Sequence, residues 1–233
     1  MQAVNNILHP LIHLFYPHVC TGCGSDLIDK DNQLCLHCIS QLPYTRFEQH
    51  AGNPIEKLFY GRIDIQAASS CFYFTKEELV QHLIHQLKYK SNRDIGVYLG
   101  ELMGLALLQS KRFQQIDVLV PLPLYPAKER KRGYNQAAVI CEGISLVMNI
   151  PVSIDNVIRR RFTETQTKKH RDERWKNVEG SFGINNPDAL TGKNILLVDD
   201  VVTTGATLEA CGQAILGIPN ISLSIATLTY AIR

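Results

Sequence analysis

The stretch Ile195-Leu196-Leu197-Val198-Asp199-Asp200-Val201-Val202-Thr203-Thr204-Gly205-Ala206-Thr207 decides the fold. Its apolar run, preceded by Gly192-Lys193 and ending on two carboxylates, reads as a buried parallel strand. Open α/β sheets bind their ligands at the carboxyl ends of such strands. Small hydroxyl residues and Gly205 follow at once and open a helix expected over residues 206–216. The free N–H groups and positive dipole end of a helix start form a cradle for phosphate. Gly205 permits a close approach that a bulkier residue blocks, and Thr203, Thr204 and Thr207 add hydroxyl donors. A phosphate beside two carboxylates requires a polyol or a cation between them, and a ribose 5-phosphate supplies the polyol.

Working outward, strand-like runs recur at 67–74, 117–121 and 222–232, with a further strand around Val157. Helical spacing recurs at 76–87, where Leu79, Val80, Leu83 and Leu87 share a face, and at 94–110 and 134–147. Apolar strands alternating with helices predict an α/β domain, a mostly parallel sheet with helices on both faces. At 233 residues the chain holds one full domain and a small appendage. The expected division is 1–42 for an N-terminal helix and a cysteine module, 43–65 for a connector and 66–233 for the α/β domain. The first helix is read from Ile7, Leu8, Leu11, Ile12 and Phe15, stopped at Pro17. The connector, with Pro43, Gly52, Asn53-Pro54 and Gly61, is expected to lie ordered over a surface because Leu58, Phe59 and Tyr60 call for burial.

A 45% hydrophobic and 20% charged composition excludes a disordered or fibrous chain. No apolar stretch is long enough to span a bilayer. The first twenty residues contain no Lys or Arg and no unbroken apolar run, so no targeting segment is read and the cytoplasm is the expected location.

Four of the seven cysteines form two pairs, Cys20-x2-Cys23 and Cys35-x2-Cys38, with eleven residues between them. In a cytosolic chain this is a metal pattern more than a disulfide framework. Four thiolates at about 2.3 Å make a closed tetrahedral structural site for zinc. Copper or an iron-sulfur cluster accepts the same donors, and His18 and His37 lie close enough in sequence to substitute. Zinc is the preferred occupant, and its binding is expected to supply the folding energy of so small a module. Cys71, Cys141 and Cys211 sit among apolar residues and read as core.

Residues 128 to 177 hold 12 of the 24 Lys and Arg against 6 of the 22 acids, a local +6 that leaves the remainder at −4. This is either a solvated basic face or an anion site. Upstream, Pro121, Pro123 and Pro126 leave their loop few N–H donors, so a polyanion there falls to the side chains beyond it. Arg130 and Arg132 can fork onto phosphate oxygens, and Asn135 and Gln136 offer amides. The polar, basic segment 159–177 reads as a loop that orders over an anionic ligand, with a solvent-facing helix over 168–176 as the alternative.

The run 195–207 is similar at every position to the phosphoribosyl pyrophosphate signature of type I phosphoribosyltransferases. That resemblance implies that Asp199 and Asp200 contact the ribose hydroxyls and that Thr203, Thr204, Gly205, Ala206 and Thr207 hold the 5-phosphate, with magnesium bridging ribose and pyrophosphate. A narrower family is indicated by the Cys-rich start, Leu58-Phe59-Tyr60-Gly61-Arg62, Leu87-Lys88-Tyr89, Val120-Pro121-Leu122-Pro123, Arg132-Gly133-Tyr134-Asn135-Gln136, Thr165-Gln166-Thr167 with Arg174 and Asn177, and the acidic run. In this order they resemble the ComF (GntX) family over nearly the whole chain, with Tyr134 where phenylalanine is commoner. By the same resemblance 121–126 is the pyrophosphate loop, 163–177 is the flexible hood loop, and Leu122, Lys88, Arg130, Arg132 and Gln166 join the contacts.

Two function classes follow. In one, a glycosyltransferase displaces pyrophosphate from the ribose anomeric carbon with an acceptor that the sequence does not name. In the other, a single-stranded DNA-binding accessory keeps the ribose phosphate pocket as a sensor. The ComF resemblance implies a link to natural competence and the DNA-uptake machinery. A weaker third reading makes the zinc module a docking site for a protein partner.

Overall fold

The computed structural model describes residues 18–26, 28–29, 32–74, 78–160 and 181–231. The expected N-terminal helix, the hood loop and Gln166 lie outside them, as do Arg161, Phe162, Arg174, Trp175 and Asn177.

After a short helix α1 (Leu36–Ser40), a 3-10 turn (Phe47–Gln49) and helix α2 (Pro54–Lys57) come strand β1 (Ala67–Phe74) and helices α3 (Leu79–Tyr89) and α4 (Arg93–Leu108). Strand β2 (Val118–Pro121), helices α5 (Pro126–Arg132) and α6 (Gln136–Met148) and strands β3 (Val157–Arg159) and β4 (Phe182–Ile184) follow. The chain continues through β5 (Asn194–Val202), α7 (Ala206–Leu216) and β6 (Ser222–Ala231). The main sheet is parallel, in the order β1-β6-β5-β2, and β3 and β4 form a separate antiparallel pair. The sheet is therefore parallel as expected, with β5 and β6 buried at its centre.

Two apolar clusters cover its faces. One joins β1, β5 and β6 to α3, α4 and α6 through Leu83, Leu99, Ile140, Leu196 and Val198. The other joins them to α7 and the connector through Phe59, Cys211, Ile195 and Leu197. Helices α4 and α6 run side by side on a glycine stripe absent from the expectations. A Cβ at Gly100 would stand 2.3 Å from the Ile140 carbonyl oxygen, and one at Gly143 would stand 2.0 Å from that of Val97. Glycine is required there because the two backbones are in contact.

The connector is ordered, and it belongs to the sheet's edge: Tyr73 N–H donates to Pro43 O at 2.9 Å and Thr45 N–H to Cys71 O at 3.0 Å. Phe59 is fully buried, whereas Tyr60, expected inside, is 60% exposed because it lies one position beyond the side of the chain that faces the core. The rigid loop after β2 is shorter than expected. Pro126 occupies the first turn of α5, where its missing N–H costs nothing, so the basic residues stand on a helix. Cys71, Cys141 and Cys211 are buried core residues as read. Among the described residues no helix is long and apolar enough to cross a membrane.

Candidate functional site

Asp199 and Asp200 fall near the end of β5, where strand alternation sends neighbouring side chains to opposite faces. Asp200 points toward the face covered by α3, and its Oδ2 lies 2.8 Å from Lys88 Nζ. Both side chains are largely buried, at 12% and 19% exposure, so neither charge is easily spared. Asp199 faces α7 and β3, close enough to Arg159 to feel its charge and close enough to Cys211 to help keep that thiol neutral. One of its oxygens, Oδ1, accepts the Asp200 N–H at 2.8 Å. Burial first, and then the Asp200 charge, push the Asp199 carboxyl up from its ordinary 3.8 to about 8.

That shift has a measurable sign. Between its ordinary 3.8 and about 8 the folded protein holds a proton that the unfolded chain has released, so folding stability falls as pH rises across that window. Asp199→Asn removes the slope. Its melting temperature relative to wild type is expected to climb from about pH 4 to about pH 8, as differential scanning calorimetry at several pH values will show. A difference independent of pH would refute the assigned shift.

Past Val202 the chain turns through exposed Thr203 and Thr204 into Gly205, which is buried with φ at +74° and precedes α7. The first N–H groups of α7 have no intrahelical partner. The loop is held from behind by the motif Leu58-Phe59-Tyr60-Gly61-Arg62. A Cβ at Gly205 would stand 3.0 Å from Phe59 Cε1, so the aromatic ring fills the space under the turn. Arg62 Nη1 donates to Leu58 O at 2.7 Å and to Thr204 O at 3.1 Å, and Arg62 Nη2 pairs with Glu209 on α7. Local sequence reading missed this brace, because its two halves lie 142 to 147 positions apart.

Other quoted motifs interlock beside Lys88. Tyr134 donates its hydroxyl to Leu87 O, and the Arg132 guanidinium sits 5.8 Å from the Tyr89 ring centroid. Arg132 Nη1 also donates to Gln136 Oε1 at 2.7 Å. Asn135 caps α6 through Ala137 N–H at 3.0 Å and donates to Leu122 O at 3.0 Å. The amides of Asn135 and Gln136 are therefore committed internally, against the expectation that they offer themselves to an anion. Leu122 is likewise used up: its N–H donates to Val198 O at 2.8 Å and its side chain is buried. Arg130 is exposed on α5.

The four sulfurs of Cys20, Cys23, Cys35 and Cys38 lie within 4.8 Å of one another. Cys23 Sγ and Cys35 Sγ are 3.7 Å apart, close to the edge of about 3.8 Å for a tetrahedron with metal–sulfur bonds of about 2.3 Å. Cys35 N–H donates to Cys20 Sγ at 3.2 Å, as a metal-binding knuckle requires. Burial raises the Cys20 thiol, but the N–H groups of Cys35, Cys23 and Gly22 outweigh it and bring it down to about 6. The donor set fits a structural metal such as zinc. The histidines stand aside: His18 Nε2 lies 2.7 Å from Asn32 O, and His37 is exposed on α1.

Residues 135–231 match the sequence model of the phosphoribosyl transferase domain. The chain is 28% identical over 226 residues to competence protein F of Haemophilus influenzae, covering 91% of each. It is 33% identical over 137 residues to DNA utilization protein YhgH of Escherichia coli, covering 58% of this chain and 60% of the relative. To competence protein ComFC of Bacillus subtilis it is 38% identical over 99 residues, covering 42% of this chain and 38% of the relative.

Proposed function

We propose, on the premise that this chain is a ComF-family, type I phosphoribosyltransferase-like protein, that it binds phosphoribosyl pyrophosphate as its magnesium complex at the β5–α7 turn. The observation that carries this reading is the braced turn itself: a strand ending in two acids runs into a glycine-started helix whose underside is filled by Phe59 and tied by Arg62. The helix start takes the 5-phosphate, and Asp199 and Asp200 take ribose hydroxyls. Lys88, already beside Asp200, balances its charge when the anionic ligand arrives. Magnesium, brought in with the substrate, would screen the charge of the pyrophosphate. In the transfer reaction an acceptor lone pair forms a bond to the anomeric carbon as the bond to pyrophosphate breaks, the electron pair leaving with pyrophosphate and a proton leaving the acceptor. The names of the relatives support a role in natural competence, and a cytoplasmic location and the domain division at 42 and 65 are kept as parts of this reading. Calorimetric titration tests it: magnesium phosphoribosyl pyrophosphate should bind more tightly than pyrophosphate or nucleotides, and equal affinity for all three would refute it.

A second reading, contact with single-stranded DNA, is favoured by one observation. Tyr89 is 64% exposed, with His85 at 5.0 Å and Arg132 at 5.8 Å, beside exposed Lys128, Arg130 and Lys131. Aromatic stacking beside phosphate-binding cations is how single-strand binders work. Arg159, by contrast, stacks 5.2 Å from the Phe182 ring and is felt by Asp199, so it serves the pocket. Contact with Z phosphates makes log K fall with log salt at about −0.7Z. The triple change Lys128→Ala, Arg130→Ala, Lys131→Ala is expected to flatten that slope by about 2. An unchanged slope in fluorescence-anisotropy titrations would remove α5 from the interface.

A further inference from the structure

The row of the sheet that carries Asp199 holds two more polar side chains. Ser70 pairs with Thr227, and Thr227 with Asp199, across β1, β6 and β5. Directly paired residues of a parallel sheet share a face, so the three side chains stand side by side on the α7 side. Ser70 and Thr227 are both 0% exposed, and neither hydroxyl has a hydrogen-bond partner. Buried hydroxyls are nearly always satisfied, and two unmet in adjacent places call for an acceptor. Because Asp199 Oδ1 is occupied by the Asp200 N–H, its second carboxylate oxygen is the acceptor that the row provides.

We propose that Thr227 is a positioning residue for Asp199: its hydroxyl donates to the ionised Asp199 carboxylate, while the Ser70 hydroxyl donates to the Thr227 oxygen. The relay would favour ionisation of Asp199 and keep it aimed when the ligand requires an acceptor, and in this role it rests on the reading of Asp199 as a ribose contact. The other groups that act on Asp199 are Asp200 on its own strand, which opposes ionisation, and Lys88 of α3 and Arg159 of β3, which favour it. Cys211 of α7 is held as a neutral thiol by burial and by Asp199. No hydrogen bond from any of these groups meets the second oxygen, whereas Thr227, with its unmet hydroxyl, is the direct neighbour of Asp199 in the row.

The test is carbon-13 titration of the Asp199 carboxyl in the ligand-free protein, for wild type, Thr227→Val, Thr227→Ser and Ser70→Ala. Loss of a donor to the charged form should raise the Thr227→Val midpoint by about one pH unit. Thr227→Ser should restore it, and Ser70→Ala should move it less but in the same direction. Phosphoribosyl pyrophosphate binding near neutral pH should weaken about tenfold in Thr227→Val and recover in Thr227→Ser. If Thr227→Val fails to fold, the Ser70→Ala midpoint decides. Midpoints that coincide with wild type would overturn the relay. Failure of wild type to bind the ligand would instead overturn the proposed function and leave the carbon-13 result standing.

Discussion

Asp199→Asn together with Asp200→Asn is expected to weaken binding of magnesium phosphoribosyl pyrophosphate by a hundredfold or more. Charge-assisted hydrogen bonds to ribose hydroxyls are each worth about 1.5 to 3 kcal/mol, and about 1.4 kcal/mol is tenfold in affinity. Asn keeps the shape of each side chain and can still accept a hydrogen bond, so the fold should survive. At position 200 the amide oxygen remains available to Lys88, which otherwise would be left with a largely buried, unpaired charge. At position 199 the change removes a carboxyl that burial already disfavours in its charged form. Each single variant should account for part of the loss. Calorimetry showing wild-type affinity in a folded double variant would remove these carboxylates from the site.

The other large effect concerns the cysteine module. Wild type is expected to hold one zinc ion per chain and Cys35→Ser to release it, because the change removes one of the four sulfurs gathered within 4.8 Å. Structural zinc contributes apparent free energies of about 10 to 16 kcal/mol in small modules, so the segment should unfold with its metal. The damage should spread beyond it. Cys20, Leu34, Cys35, Cys38 and Leu42 share one apolar cluster with Phe72, Val80 and Leu83. His82 Nε2 also lies 3.0 Å from Thr21 O, linking α3 to the module. The melting temperature of the larger domain should therefore fall by several degrees, and amides of α3 should exchange faster. Elemental analysis finding stoichiometric zinc in the variant, or none in wild type purified under reducing conditions, would contradict the assignment.

The elements most legible in the sequence are those specified by short-range pattern. The apolar run of β5 admits little besides a buried parallel strand, and the helix expected at 206–216 spans the residues of α7. Both cysteine pairs announce their donor set by spacing alone. What escaped reading depends on partners distant in sequence. Gly96, Gly100 and Gly104 look like weak points of a helix until α6 is laid against them. Phe59 and Arg62 acquire their purpose only when the chain brings Gly205, Thr204 and Glu209 to them. Alternation in β5 foretells that Asp199 and Asp200 diverge, but not that Lys88 waits on one face and Thr227 on the other. Tyr60 turns outward although it adjoins the buried Phe59, because neighbouring positions on this turn face opposite sides.

The claim on which the rest depends is that the β5–α7 turn seats a ribose 5-phosphate, and the most direct test is an experimental structure with magnesium phosphoribosyl pyrophosphate bound. The 5-phosphate is expected within hydrogen-bonding distance of the N–H groups and hydroxyls of residues 203–207, with the ribose hydroxyls on Asp199 and Asp200. A phosphate bound elsewhere, with the turn above Phe59 vacant, would contradict it.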